Sequence, residues 1–125
     1  MIVLDASVLI AHLNAADAYH ERATELLGRD DDLTASVISL AEVLVQPARA
    51  GLLSRAVPAL GDLGVRSVGL DEDGVVRLAV LRAETNLKLS DCCVLLTAEQ
   101  VQGAVATFDG RLASSAKDLG LLVRQ

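Results

Sequence analysis

Apolar residues along this chain fall in short runs and helical stripes that alternate. Ile2–Leu4 is an apolar run of strand length, and a helical stripe follows over Ala6–Leu13. Ala16–Gly28 predicts a second helix, with Gly28 near its end. Arg29–Asp32 reads as a polar surface loop, and Leu33–Ser36 returns to strand character. Ser36 or Val37 then starts a helix reaching about Ala50, whose last turn Pro47 should disturb. Gly51 punctuates. Leu52–Leu63 predicts another helix, with Pro58 as a break or kink. Arg66–Val68 is a third short strand. Asp71, Glu72 and Asp73 suit the positive end of a helix dipole, and the apolar spacing from Val75 to Leu87 predicts a long helix. Ser90 is placed to cap a further helix running to about Gln100. Gly103–Thr107 is a fourth strand, Asp109 or Gly110 opens a short helix, and Leu121–Val123 closes the chain as a fifth strand.

This alternation predicts an α/β fold: a five-stranded, mostly parallel sheet flanked by helices. With 125 residues and no linker, low-complexity tract or internal repeat, residues 1–125 read as a single domain. In such sheets ligands bind outside the carboxyl ends of the strands, near the point where strand order reverses. The pattern therefore names a place to look for chemistry.

Composition narrows that chemistry. The chain is 52% hydrophobic with a mean hydropathy of +0.44, enough to bury a core without disulfides or a structural metal. No apolar stretch reaches the roughly 18 residues of a membrane span. The N-terminus enters strand-like sequence with no basic region before it, so a cytoplasmic, non-membrane protein is expected. Cys92 and Cys93 are adjacent in a predicted helix, where neighbouring side chains point about 100° apart, and they read as small buried groups. The net charge is -6 and the pI about 4.7, whereas a phosphate-binding protein is usually basic. One Tyr, one Phe and no Trp offer no base-stacking platform. Contact with nucleic acid would need another device, such as carboxylates holding divalent cations.

Four carboxylates stand where such a device belongs. Asp5 follows the first strand and Asp109 the fourth, in VATFDGRL; if those strands are neighbours, the two meet at one sheet edge. Asp91, in KLSDCCVLL, starts the helix that feeds the fourth strand, and Glu42 lies in SLAEVLVQP after the second. Singly, the three aspartates could be helix caps, and Glu42 could face water beside Ser39 and Gln46. Together they form a set of like charges that a cation would compensate. Oxygen donors of this kind favour Mg²⁺ or Mn²⁺. His12 and His20 lie in no nucleophile or metal motif and read as helix-surface residues, while Arg82, Lys88 and Arg111 read as ordinary surface charge beside the acidic motifs.

IVLDASVLIAHL, SLAEVL, DCCVLLTA and ATFDGRLA resemble, in order and spacing over nearly the whole chain, the successive motifs of PIN-domain ribonucleases. The length resembles the VapC toxins of type II toxin–antitoxin systems. The resemblance implies a PIN-like three-layer sandwich and metal-dependent hydrolysis of RNA phosphodiesters, leaving a 5′ phosphate and a 3′ hydroxyl. It assigns Asp5, Glu42, Asp91 and Asp109 to a catalytic site for Mg²⁺ or Mn²⁺, with Asp5 and Asp91 as direct ligands. Glu42 would serve a second ion or orient water, and Asp109 would act through water. Ser7 and Thr107 match small hydroxyl positions that hold water or phosphate; local capping is an equal reading. Cys92 stands where the family commonly has Ala after the third acid. The implied partners are an RNA substrate, a VapB-type antitoxin able to insert a basic side chain, and a second copy of the chain. The helices around Val37–Leu63 offer an apolar face for one of these or for the core. Two rivals remain: a PIN-fold binding protein without turnover, and a receiver-like phosphoacceptor domain. The second is disfavoured because residues 43–61 hold no Asp or Glu and Lys117 precedes the last strand.

Overall fold

The computed structural model describes residues 1–29 and 32–125; of the polar loop Arg29–Asp32, Asp30 and Asp31 lie outside the described residues. Five strands, β1 (Ile2–Leu4), β2 (Leu33–Ser36), β3 (Arg66–Val68), β4 (Ala104–Ala106) and β5 (Val123–Arg124), form one sheet in the order β3-β2-β1-β4-β5. Every pairing is parallel. Among the described residues seven helices connect them: α1 (Ala6–Leu13), α2 (His20–Leu27), α3 (Val37–Arg49), α4 (Leu53–Asp62), α5 (Gly74–Thr85), α6 (Leu89–Val101) and α7 (Gly110–Asp118).

Side-chain alternation along the strands builds two cores, one on each face. Ile2, Leu4 and Ala106 join Val8, Leu9, Ala23, Leu27 and Val43 on the side of α1–α3. Val3 and Val105 join Leu81, Leu95, Leu112 and Ala116 on the side of α5–α7. The predicted three layers are present. α6 is buried from Asp91 to Ala98, which explains why its sequence carries little helical stripe: it is apolar all round.

Several element ends differ from expectation. α2 begins at His20 rather than Ala16, because Asn14 Oδ1 accepts from the Ala16 N–H at 3.1 Å and Asp17 Oδ1 from the Tyr19 N–H at 2.8 Å. These local turns take donors a helix would use. Pro58 lies inside an unbroken α4, on an exposed stretch where water can serve the carbonyl freed by its missing N–H. Pro47 lies likewise inside α3, which runs on to Arg49. α5 stops at Thr85 because Asn86 takes the left-handed conformation, with φ 57°. Ser90 does not cap α6; Lys88 holds that position and Ser90 lies within the first turn.

Candidate active site at the strand-order reversal

The order reverses between β1 and β4. Their registers pair Leu4 with Ala106, and the Asp5 N–H donates to the Ala106 carbonyl at 2.9 Å. Asp5 and the Thr107–Asp109 segment therefore leave the sheet level with each other. Asp5 is 7% exposed and occupies the N-cap position of α1, yet its carboxylate makes no cap bond. Instead Asp5 Oδ2 accepts from Ser7 Oγ at 2.6 Å and from Thr107 Oγ1 at 2.8 Å. The same hydroxyls accept from the next strand's exit: Phe108 N–H to Ser7 Oγ at 3.1 Å and Asp109 N–H to Thr107 Oγ1 at 3.0 Å. Ser7 and Thr107 are thus holders of Asp5, a role distinct from the two read in the sequence.

Asp109 does cap its helix. Its Oδ1 accepts from the N–H groups of Arg111 at 2.9 Å and Leu112 at 3.2 Å. Asp91 sits in the first turn of α6 and is 8% exposed. Its carboxyl is pushed up to about 6, first by burial and next by the negative charge of Asp5. Asp109 and Glu42 push the same way, and Lys88 opposes them. Three carboxylates carried by other parts of the chain thus share one electrostatic neighbourhood with Asp91. Glu42 is half-buried on α3 and lines a groove with Ile10, Leu13, Val43, Pro47 and Leu52. Its charge reaches the Cys93 thiol, which burial, then Cys92 and Glu42, push up.

The donor chemistry fits a hard cation, since all four groups offer carboxylate oxygens. Among the described residues, no three His, Cys, Asp or Glu side chains stand together as a metal cage. Mg²⁺ does not require one, because it is typically held by one or two carboxylates and keeps several waters.

Of the flanking cations, Lys88 acts on Asp91, while Arg82 and Arg111 are exposed. His12 and His20 stack at 6.1 Å between α1 and α2. Each bonds through Nδ1, His12 with Thr24 Oγ1 at 3.0 Å and His20 with the Ala11 carbonyl at 2.9 Å, so they join two helices rather than face the acids. Cys92 and Cys93 are buried, as expected. Composition alone discounted a stacking platform on one Tyr and one Phe, but the structure brings the two together, Tyr19 and Phe108 stacking at 4.7 Å and 15°. The available signal was Phe108 lying next to Asp109.

A parallel sheet in this order, with acids at the switch point, defines an α/β protein whose candidate site lies at the carboxyl ends of β1 and β4. The PIN domain family model matches residues 2–118, and the chain belongs to that family. Among solved structures, VapC20 of Mycobacterium tuberculosis, a Sarcin–Ricin loop cleaving toxin, is 22% identical with a TM-score of 0.76, covering 92% of this chain and 95% of its own. A toxin–antitoxin complex from Klebsiella pneumoniae is 24% identical with a TM-score of 0.75, covering 100% and 97%. FitAcB from Neisseria gonorrhoeae is 24% identical with a TM-score of 0.79, also covering 100% and 97%. At these identities the likeness is one of fold. No curated protein sequence matches the chain at a significant level. The family and the strand order remove the receiver-like alternative, whose doubly wound sheet runs in another order. Among the described residues, no helix is long and apolar enough to cross a membrane.

Proposed function

We propose that this chain is an Mg²⁺- or Mn²⁺-dependent endoribonuclease and the toxin of a VapBC-type pair. The observation that carries the reading is that Asp5 and Asp109 follow neighbouring strands at the switch point of a PIN-family sheet, where the buried Asp91 feels their charge and that of Glu42. Asp5 and Asp91 would hold the ion, with Glu42 and Asp109 in support. The ion supplies charge neutralisation for a phosphodiester and a water acidic enough to attack at neutral pH. Ser7 and Thr107 fix the orientation of Asp5. Lys88 offsets part of the negative potential that an approaching phosphate meets.

The toxin assignment draws on two similar structures, the toxin VapC20 and the toxin–antitoxin complex from Klebsiella pneumoniae. It also fits the groove between α1, α3 and α4. Its apolar lining ends at Glu42, so an antitoxin segment with apolar side chains and one basic group suits it. The competing reading, a PIN-fold binder without turnover, predicts occupancy of that groove with no cleavage.

The test is incubation of partner-free protein with a total RNA pool, with Mg²⁺ or Mn²⁺ and with EDTA. Metal-dependent cuts bearing 5′ phosphates are expected. An intact pool beside folded, metal-loaded protein would move the assignment to the binder.

A further inference from the structure

The sequence poses a problem that the acidic residues do not solve. A chain of net charge -6 has little cationic surface to hold RNA, and affinity must come from elsewhere. Stacking on an aromatic side chain is the main alternative, and it tolerates any base. The chain has one Tyr and one Phe, and the structure brings both to the same place.

Tyr19 is 54% exposed, so this large ring does not serve the core. One face lies against Phe108, with ring planes 15° apart. Phe108 is half-buried and packs on the α1–α3 core, which gives the pair a firm backing. The pair is also tied to the acids. The Phe108 N–H donates to Ser7 Oγ, which donates to Asp5 Oδ2. On the other side, the Tyr19 N–H is held by Asp17 Oδ1 at 2.8 Å, and the Tyr19 carbonyl receives the Ala23 N–H at 2.8 Å. Ser7, Ile10, Asp17, Tyr19, Phe108 and Asp109 line one cleft of about 380 Å³. That cleft thus has a carboxylate of the proposed catalytic set on one wall and the aromatic pair on another.

We propose that the exposed face of Tyr19, backed by Phe108, is the stacking platform for one nucleobase of the RNA beside the phosphate to be cut. The assignment rests on the ribonuclease reading above. A base entering the cleft continues a stack that already has two members, so its ring meets a surface ordered before binding. The bound base would bring the adjoining phosphate to the Asp109 end of the cleft, toward the ion that Asp5 and Asp91 would hold. Tyr19 is therefore a substrate-binding and positioning residue that takes no part in proton transfer.

The test compares wild type, Tyr19→Leu and Tyr19→Phe on a short RNA containing the mapped cut. It repeats the comparison on RNAs with an abasic nucleotide at each position flanking that cut. Tyr19→Leu should raise KM roughly 5- to 100-fold with kcat retained, while Tyr19→Phe, which keeps the ring, restores the wild-type KM. At one position the abasic substitution should raise KM in wild type but not further in Tyr19→Leu, the coupling expected of a direct contact. A Tyr19→Leu KM equal to wild type, or abasic effects that simply multiply with it at every position, overturns the platform while leaving the nuclease intact.

If wild type cuts no RNA, the nuclease reading has failed and binding still decides the platform. Tyr19→Trp places the only tryptophan in the chain at the site. Its emission should be quenched by intact RNA and not by a fully abasic ribose-phosphate chain. No quenching by RNA overturns the platform.

Discussion

β1 and β4 lie side by side, and each is followed by an aspartate at the N-cap position of the next helix, Asp5 before α1 and Asp109 before α7. The local sequence logic is the same, but the bonding is not. Asp109 gives Oδ1 to two N–H groups of its own helix. The Asp5 carboxylate accepts from no backbone N–H of its helix and is held by hydroxyls from α1 and from the exit of β4. An aspartate that caps contributes to stability whatever else it does. One that is buried, declines the cap and is clamped by two hydroxyls is arranged for its charge. The comparison separates a carboxylate with a structural share from one that we propose is kept for chemistry.

The sharpest way to break that comparison is Asp5→Asn. The amide keeps an acceptor for Ser7 and Thr107 but removes the charge, so RNA cleavage should fall by at least roughly 10³-fold, with thermal stability within about 1 kcal/mol of wild type. An active Asp5→Asn protein would sink the assignment.

Asp91 extends the contrast to a carboxylate that is costly to keep. Its folded value of about 6 lies above the ordinary 3.8, so the native state binds more protons than the unfolded chain between those values. Stability therefore falls as pH rises from about 4 to about 6 and stays reduced above that window. Asp91→Asn removes the penalty. In EDTA near neutral pH it should gain about 2–3 kcal/mol, and the gain should vanish by about pH 4 while cleavage is lost. Denaturant melts across pH check the sign; a gain that does not change with pH would show that burial and neighbouring charge are not its cause.

The smallest effect sharpens the Asp5–Asp109 difference directly. Asp109→Ala should cost about 1 kcal/mol for the lost cap, and Asp109→Asn only a few tenths, because Asn caps as well. Both should weaken cleavage. Equal melting temperatures for the two variants would deny Asp109 its structural share.

Much of this was legible in the residues. The five strands, the parallel sheet and two faces of core follow from alternation and apolar periodicity, which depend on neighbours along the chain. The four acids were visible for a similar reason, as charges beside apolar runs at predicted element ends. The capping reading suited Asp109 and failed for Asp5, because a cap bond competes with any better donor that folding supplies. Thr107, far along the chain, supplies one. The misplaced starts of α2 and α6 have the same origin: Asn14 and Asp17 diverted local N–H groups, and α6 begins at Leu89, before Ser90 could serve as a cap.

By itself, then, the sequence determined the class of fold, the elements and the type of chemistry, since burial patterns and donor types are properties of the residues. Only the tertiary structure decided that β1 adjoins β4, that Ser7 and Thr107 serve Asp5, that Asp91 bears the charge of three other acids, and that Tyr19 meets Phe108. Apart from the local Ser7–Asp5 bond, each of these joins residues distant in the chain, and such contacts exist only once the sheet order has brought the strand ends together.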